Sequence, residues 1–149
     1  MTEYSEHEDG EGTDLRQLPV LSYYEERRRY PRVDLRVPVI ISSHQHKVLR
    51  ARTRNISAEG LQIRCDRETS RALHPSGTPI PPKAGPSVML RLDLTLRGQV
   101  RRFVAEGRLV YIAVCRSDEI AFGLQFTQIA LAHRATLAEF IMESLRPRE

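Results

Sequence analysis

No apolar run in this sequence approaches the roughly 18 residues that cross a membrane as a helix. The longest, Leu109 to Cys115, has the length of one buried strand, so membrane insertion is not expected. The acidic start of the chain lacks the basic-then-apolar order of a secretory signal, and a cytoplasmic location is expected. Cysteine is scarce: Cys65 and Cys115 are the two present in 149 residues. Both fall in strand-like runs and read as buried thiols rather than a disulfide. Catalytic signatures are missing too. There is no G-x-S-x-G, no H-E-x-x-H and no phosphate-binding loop. Cys65 has no evident base. His44 and His46 sit in an expected turn without carboxylate or thiol partners for a metal. The chain therefore reads as a non-enzyme, with no catalytic residue, metal site or cofactor.

Lysine and arginine are missing from residues 1–15, which hold Glu3, Glu6, Glu8, Asp9, Glu11 and Asp14. All 23 basic residues follow, against 13 of the 19 acidic ones. A surplus of that size on the folded part points to an anionic partner. The length suits one domain with tails. Residues 1–19 are polar and acidic with almost no apolar pattern and are expected to be a disordered tail. Residues 20–32 form a short arm that turns strongly basic, and residues 33–146 carry the domain.

Within that domain a period of two dominates. Leu35, Val37, Val39 and Ile41 share one face of the first strand. Leu49, Ala51 and Thr53 share one face of the second, with Arg50, Arg52 and Arg54 opposite. Leu61, Ile63 and Cys65 oppose Gln62 and Arg64 on the third. Val88, Leu90, Leu92 and Leu94 follow, then Val110, Ile112 and Val114, then Ile120, Phe122, Leu124 and Phe126. Six short strands with one apolar face predict a small antiparallel barrel or sandwich. Residues 74–86 hold five prolines and two glycines and are expected to be a long loop between strands three and four. The last stretch changes period. Leu137, Phe140, Ile141, Ser144 and Leu145 fall on one helical face, and the helix stops before Pro147.

Two segments stand out. Arg27-Arg28-Arg29-Tyr30-Pro31-Arg32 precedes the first strand. Guanidinium forks suit phosphate oxygens and the O6/N7 edge of guanine, and Pro31 keeps the segment out of a helix interior. Asn55-Ile56-Ser57-Ala58-Glu59-Gly60 lies between strands two and three. Asn and Ser turn the chain while presenting donors and acceptors, and Gly60 allows a positive φ or a close backbone approach. Alone, the first segment reads equally as a solvated basic arm, and the second reads first as an ordinary turn. Together with Arg50, Arg52, Arg54 and Arg64 on the solvent face of the same hairpin, they would border one cationic patch.

With Arg28 and Arg32 as R-x-x-x-R, and Asn55, Ser57 and Gly60 as [D/N]-x-S-x-x-G, the sequence resembles the PilZ family over roughly residues 25–145. The Leu109-Val110-Tyr111 strand, the Phe122 to Phe126 strand and the terminal helix continue the likeness. The 74–86 loop looks longer than the family's usual connection. The resemblance implies a mainly β fold, a six-stranded antiparallel barrel with a C-terminal α-helix, that binds cyclic di-GMP on its outer surface. By the same resemblance Arg28 and Arg32 grip guanine and phosphate, Asn55 and Ser57 bind guanine edge or phosphate, and Gly60 permits the turn. Arg27, immediately before the motif, goes with two stacked ligands per chain. The expected ligand-binding set is Arg27, Arg28, Arg32, Asn55, Ser57, Gly60 and Arg64. A downstream protein partner is implied but not named. The competing readings are a nucleic-acid-binding barrel and a PilZ-like adaptor that binds only proteins. Outer strand positions carry Arg and Gln rather than base-stacking aromatics, which weighs against nucleic acid.

Overall fold

The computed structural model describes Leu18 and residues 30–43, 47–81, 83–116 and 118–147. The expected tail (1–19, apart from Leu18), most of the arm including Arg27 and Arg28, and the pair His44 and His46 lie outside the described residues. In chain order the elements are β1 (Val33–Asp34), β2 (Pro38–Ser43), β3 (Val48–Ile56), β4 (Gly60–Cys65), α1 (Arg67–Leu73), β5 (Ser87–Leu96), β6 (Gln99–Arg116), β7 (Glu119–Gln128) and α2 (Leu131–Leu145).

The strands run β1-β3-β2-β5-β6-β7-β4, and β4 returns to pair with β3. Six antiparallel strands thus close into a barrel, which satisfies both edges of each of them. The inner face is built from the alternating apolar positions: Val39, Ile41, Leu61, Ile63, Leu90, Leu94, Phe103, Leu109 and Phe122 are all fully buried. Each such side chain contributes about 1.5–3 kcal/mol on leaving water.

The first strand is broken in two. β1 and β2 pair with the same edge of β3, through Val33↔Ile56 and Asp34↔Asn55 on one side of the break and Pro38↔Arg52 to Ser42↔Val48 on the other. The hydroxyl of Thr53 fills the gap. It accepts from Val37 N at 2.9 Å and donates to Leu35 O. Pro38 opens β2, a position where its missing N–H costs no ladder bond.

Two expectations are corrected here, and one element is added on which the sequence reading is silent. Val110 does not share a face with Ile112, because β6 shifts register between Leu109 and Tyr111. Phe103, Ala105, Gly107 and Leu109 point inward before the shift and Ile112 after it, leaving Val110 half-buried. A bulge of this kind breaks the two-residue period at one point without a break in the apolar run. Second, the terminal helix buries Leu137, Phe140 and Ile141, whereas Ser144 and Leu145 are exposed. α2 lies against β5, β6 and β1 and has passed the core by its last turn. Near its start, His133 meets the ring of Phe103 edge-on at 6.1 Å. Third, a helix precedes the proline-rich loop. Asp66 caps α1, its Oδ1 accepting from Thr69 N at 2.7 Å, and Leu73 is buried. This N–H bond holds the Asp66 carboxyl below its ordinary range. Seven residues are too few for a helical period to show, although Asp66 and Glu68 are the residues a helix start favours. The described residues of the 74–86 stretch form turns and irregular chain, as expected.

Candidate functional site

The β3–β4 turn is wired by one side chain. Ser57 N donates to Gly60 O at 2.8 Å, and the buried Ser57 Oγ accepts from Glu59 N at 3.1 Å and Gly60 N at 3.3 Å. The hydroxyl is thus engaged with the backbone of its own motif, and Ser57 fixes the turn from which Asn55 and Gly60 are presented. Phe126 N donates to Glu59 O at 2.8 Å and ties the turn to β7. Gly60 is required for space. A Cβ there would sit 2.0 Å from Leu124 O, and the glycines with positive φ among the described residues are Gly77 and Gly98. Of the two roles open to Gly60, close backbone approach is therefore the one it fills.

Asn55 joins the two motifs. Its Oδ1 accepts from Arg32 Nη1 at 2.8 Å, across 23 residues of sequence. β1 makes this contact possible, since its pairing with Asn55 and Ile56 brings the end of the arm to the outer face of β3. Arg32 and Asn55 are only partly exposed. Arg32, Asn55, Ser57 and Gly60 therefore gather at one end of the β3–β4 hairpin.

Arg64 is placed differently. It lies on the same hairpin, but its Nε donates to Gln62 Oε1 at 3.0 Å and its Nη1 approaches Glu119 Oε1 at 3.5 Å. Gln62, expected on the solvent face, does point outward from the barrel yet is 1% exposed. The correction has a packing cause. Gly123 stands opposite both Gln62 and Tyr111, and a Cβ on it would lie 2.1 Å from the Tyr111 ring. The ring covers that gap, and Tyr111 Oη accepts from Gln62 Nε2 at 2.9 Å. A polar chain, Tyr111–Gln62–Arg64–Glu119, runs along the outside of the barrel, with Gln62 opposite Asn55 and Arg64 and Glu119 leading away from it.

Beside it lies a groove of about 630 Å³ whose lining includes Arg36, Arg50, Arg52, Arg54, Arg64 and Arg116, against Asp66, Asp118 and Glu119. Arg36 pairs with Asp34 at 3.1 Å, and Arg64 and Arg116 share Glu119 at 3.5 and 3.7 Å. Arg50, Arg52 and Arg54 have no carboxylate partner among the described residues; Arg52 donates instead to Arg36 O at 3.1 Å. Cys65 also lines the groove. Burial first, then the charge of Asp66, the neighbouring Cys115 and the charge of Glu119, push its thiol up to about 12, away from the thiolate form.

Sequence reasoning identified the arginines of β3 and β4. It missed Arg36 and Arg116, which come from the strand break and the β6–β7 turn, and also Arg108. Strand register sets Gly60, Gln125 and Arg108 in one outer row, with Arg108 Nη2 donating to Gln125 Oε1 at 2.9 Å. No local pattern announces such neighbours, because they meet only when β4, β7 and β6 are laid side by side.

Several solved structures share this architecture. One is the inhibitor of motility MotI/DgrA of Bacillus subtilis, with a TM-score of 0.61 and 22% identity over 83% of this chain and 54% of that one. Another is the PilZ domain of YcgR from Escherichia coli with c-di-GMP, with a TM-score of 0.55 and 16% identity over 79% and 91%. MrkH of K. pneumonia in its apo state gives 0.56 and 12% over 80% and 52%. The chain thus spans about half the length of the MotI and MrkH structures, and at these identities the likeness is one of fold. No curated protein matches in sequence. The PilZ domain family, however, matches residues 26–143, a span that holds the basic end of the arm, both motifs, the closed barrel and most of α2, and the chain belongs to that family.

Proposed function

We propose that this protein is a receptor for cyclic di-GMP, without catalysis of its own, that signals by changing the surface around its N-terminal arm. The observation that carries the reading is the Arg32–Asn55 contact at 2.8 Å. It joins the two halves of a split motif on the outside of a closed barrel, beside a surface rich in arginine. The E. coli YcgR structure of the same fold holds c-di-GMP, which supports the choice of ligand. In this reading Arg28 and Arg32 supply guanidinium forks to guanine edge and phosphate. Asn55 offers its amide to the base, and Ser57 and Gly60 hold the turn beneath it. Arg27 offsets the repulsion between two dianionic ligands, giving two per chain. Arg64, braced by Gln62 and Glu119, contributes positive potential at the flank of the site.

Signalling then follows from order. The segment Glu25-Glu26-Arg27-Arg28-Arg29 carries five charges with few apolar neighbours. Ligand phosphates would neutralise the arginines and give them fixed partners, so that residues 22–32 present a new surface to a downstream protein. Calorimetric titration of the full chain tests the binding. Cyclic di-GMP is expected to bind, with two equivalents at saturation, and Arg28→Ala or Arg32→Ala is expected to weaken it about tenfold or more, since a bidentate arginine contact is worth about 1–3 kcal/mol. No heat with cyclic di-GMP together with tight RNA binding would replace this reading by the nucleic-acid one. Hydrogen exchange at residues 22–32, slowed on adding ligand, tests the signalling step. Equal protection in both states would remove it.

A further inference from the structure

The arginine groove is not accounted for by the ligand site. Neither Arg32 nor Asn55, Ser57 or Gly60 lines it. It starts at Arg54, next to Asn55 at the irregularity in β3, and runs the other way, towards α1 and the β6–β7 turn. Its charges sort into two groups. Arg64 and Arg116 are offset by Glu119, and Arg36 by Asp34. Arg50, Arg52 and Arg54 on β3 are left without a carboxylate among the described residues. Asp66 and Asp118 line the groove as well, so six arginines face three carboxylates there, and with three guanidinium groups unpaired on one strand the surplus favours an anionic occupant.

We propose that the occupant is the acidic N-terminal segment of this same chain, residues 3–14, over the outer face of β3. Two observations select it. The first is charge: the segment holds six carboxylates and no lysine or arginine, the complement of the unpaired β3 face. Both edges of β3 are already paired, so the segment would lie over the sheet and not extend it. The second is the tether. Leu18 is 5% exposed and belongs to the hydrophobic core, only four residues after Asp14. From that fixed point Glu3 reaches up to about 50 Å at roughly 3.3–3.6 Å per residue. A domain of this length has a radius of gyration of about 15 Å, so the groove is within range. A short tether also holds the carboxylates at high effective concentration, an advantage that no free acidic protein or nucleic acid shares.

The proposal concerns the protein without ligand and stands apart from the cyclic di-GMP reading. It is tested in the full chain by replacing the six carboxylates with amides (E3Q, E6Q, E8Q, D9N, E11Q and D14N) and recording the arginine Nε–Hε resonances without nucleotide. Near 0.01 M salt, where the screening length is about 30 Å, the resonances of Arg50, Arg52 and Arg54 are expected to differ between the natural and amide chains. The difference is expected to vanish near 1 M salt, where the screening length is about 3 Å. Arg101, on β6, serves as the reference expected to change least. Identical Arg50, Arg52 and Arg54 resonances at low salt would overturn the proposal, as would a groove that responds to added RNA but not to loss of the carboxylates. A second variant, R50S/R52S/R54S, is expected to make the amide resonances of residues 3–14 insensitive to salt. Unchanged salt sensitivity there would also overturn it.

Discussion

The barrel contains two hairpins of similar inner face and opposite outer face. In β3–β4, Thr53, Ile63 and Cys65 point inward while Arg50, Arg52 and Arg54 face out without carboxylate partners among the described residues. In β5–β6, Leu90, Leu92, Leu94 and Phe103 point inward, while Arg102 outside is paired with Asp93 at 3.2 Å and Arg97 with Glu139 at 3.7 Å. The turns differ in the same way. β5–β6 closes through Arg97 and Gly98, with φ of 52° and 80°, the two-residue turn that suits the twist of a hairpin. β3–β4 closes through a longer turn held by the Ser57 hydroxyl and pressed against β7. One hairpin closes on a local two-residue turn and pairs part of its outer charge, Arg102 with Asp93 and Arg97 with Glu139 of α2. The other leaves charges and a side-chain-wired turn facing outward, which is where binding is expected.

The glycines of the two turns give the largest contrast. Gly60→Ala forces a methyl into the Leu124 carbonyl and is expected to cost about 3 kcal/mol or more, read as a fall in the denaturant midpoint or as failure to fold. A loss under about 1 kcal/mol would mean that β7 yields easily and that the turn is less fixed than described. Arginines come next. Arg32→Ala is expected to cost about 1–3 kcal/mol of cyclic di-GMP binding, whereas Arg102→Ser, which breaks an exposed pair on the other hairpin, is expected to leave affinity unchanged and stability within about 1 kcal/mol. Equal losses of affinity would show that the ligand responds to net charge and not to a site. Gly98→Ala meets open space but keeps a positive φ, and is expected to cost about 1–2 kcal/mol of stability with no effect on binding. Smallest is Arg97→Asn. Asn tolerates the left-handed region better, and the exposed pair lost with Glu139 is worth little, so a gain of roughly 0.5 kcal/mol in thermal unfolding is expected.

How much of this was legible in the sequence follows from the range of the forces involved. The inner face of β2 through β5 and of β7 was readable because burial acts position by position with a period of two. The R-x-x-x-R and N-x-S-x-x-G segments were readable as patterns, and their meeting through Arg32 and Asn55 is what the fold adds. What failed to show depends on neighbours distant in sequence. Gln62 looks solvent-facing until Gly123 makes room for Tyr111 above it. Val110 looks inward-facing until the register of β6 against β7 slips. Arg108 looks like any exposed arginine until β4 and β7 place it in the row of Gly60. Ser57 reads as a ligand donor by analogy, yet its hydroxyl is engaged by two backbone N–H groups of its own turn.

The break in the first strand has a mechanical consequence. β1 is clasped to β3 by only two residue pairs, and the Thr53 hydroxyl bonds both sides of the gap before β2 begins. A pull transmitted through Arg32 loads that short clasp first. Peeling it away would free the Asn55 edge of β3 and then stop at Thr53, because from Pro38 onward β2 is held on two sides, by β3 and by β5. The barrel thus carries a weak link placed ahead of its walls, and β1 is the element that would part from β3 while the walls remain closed.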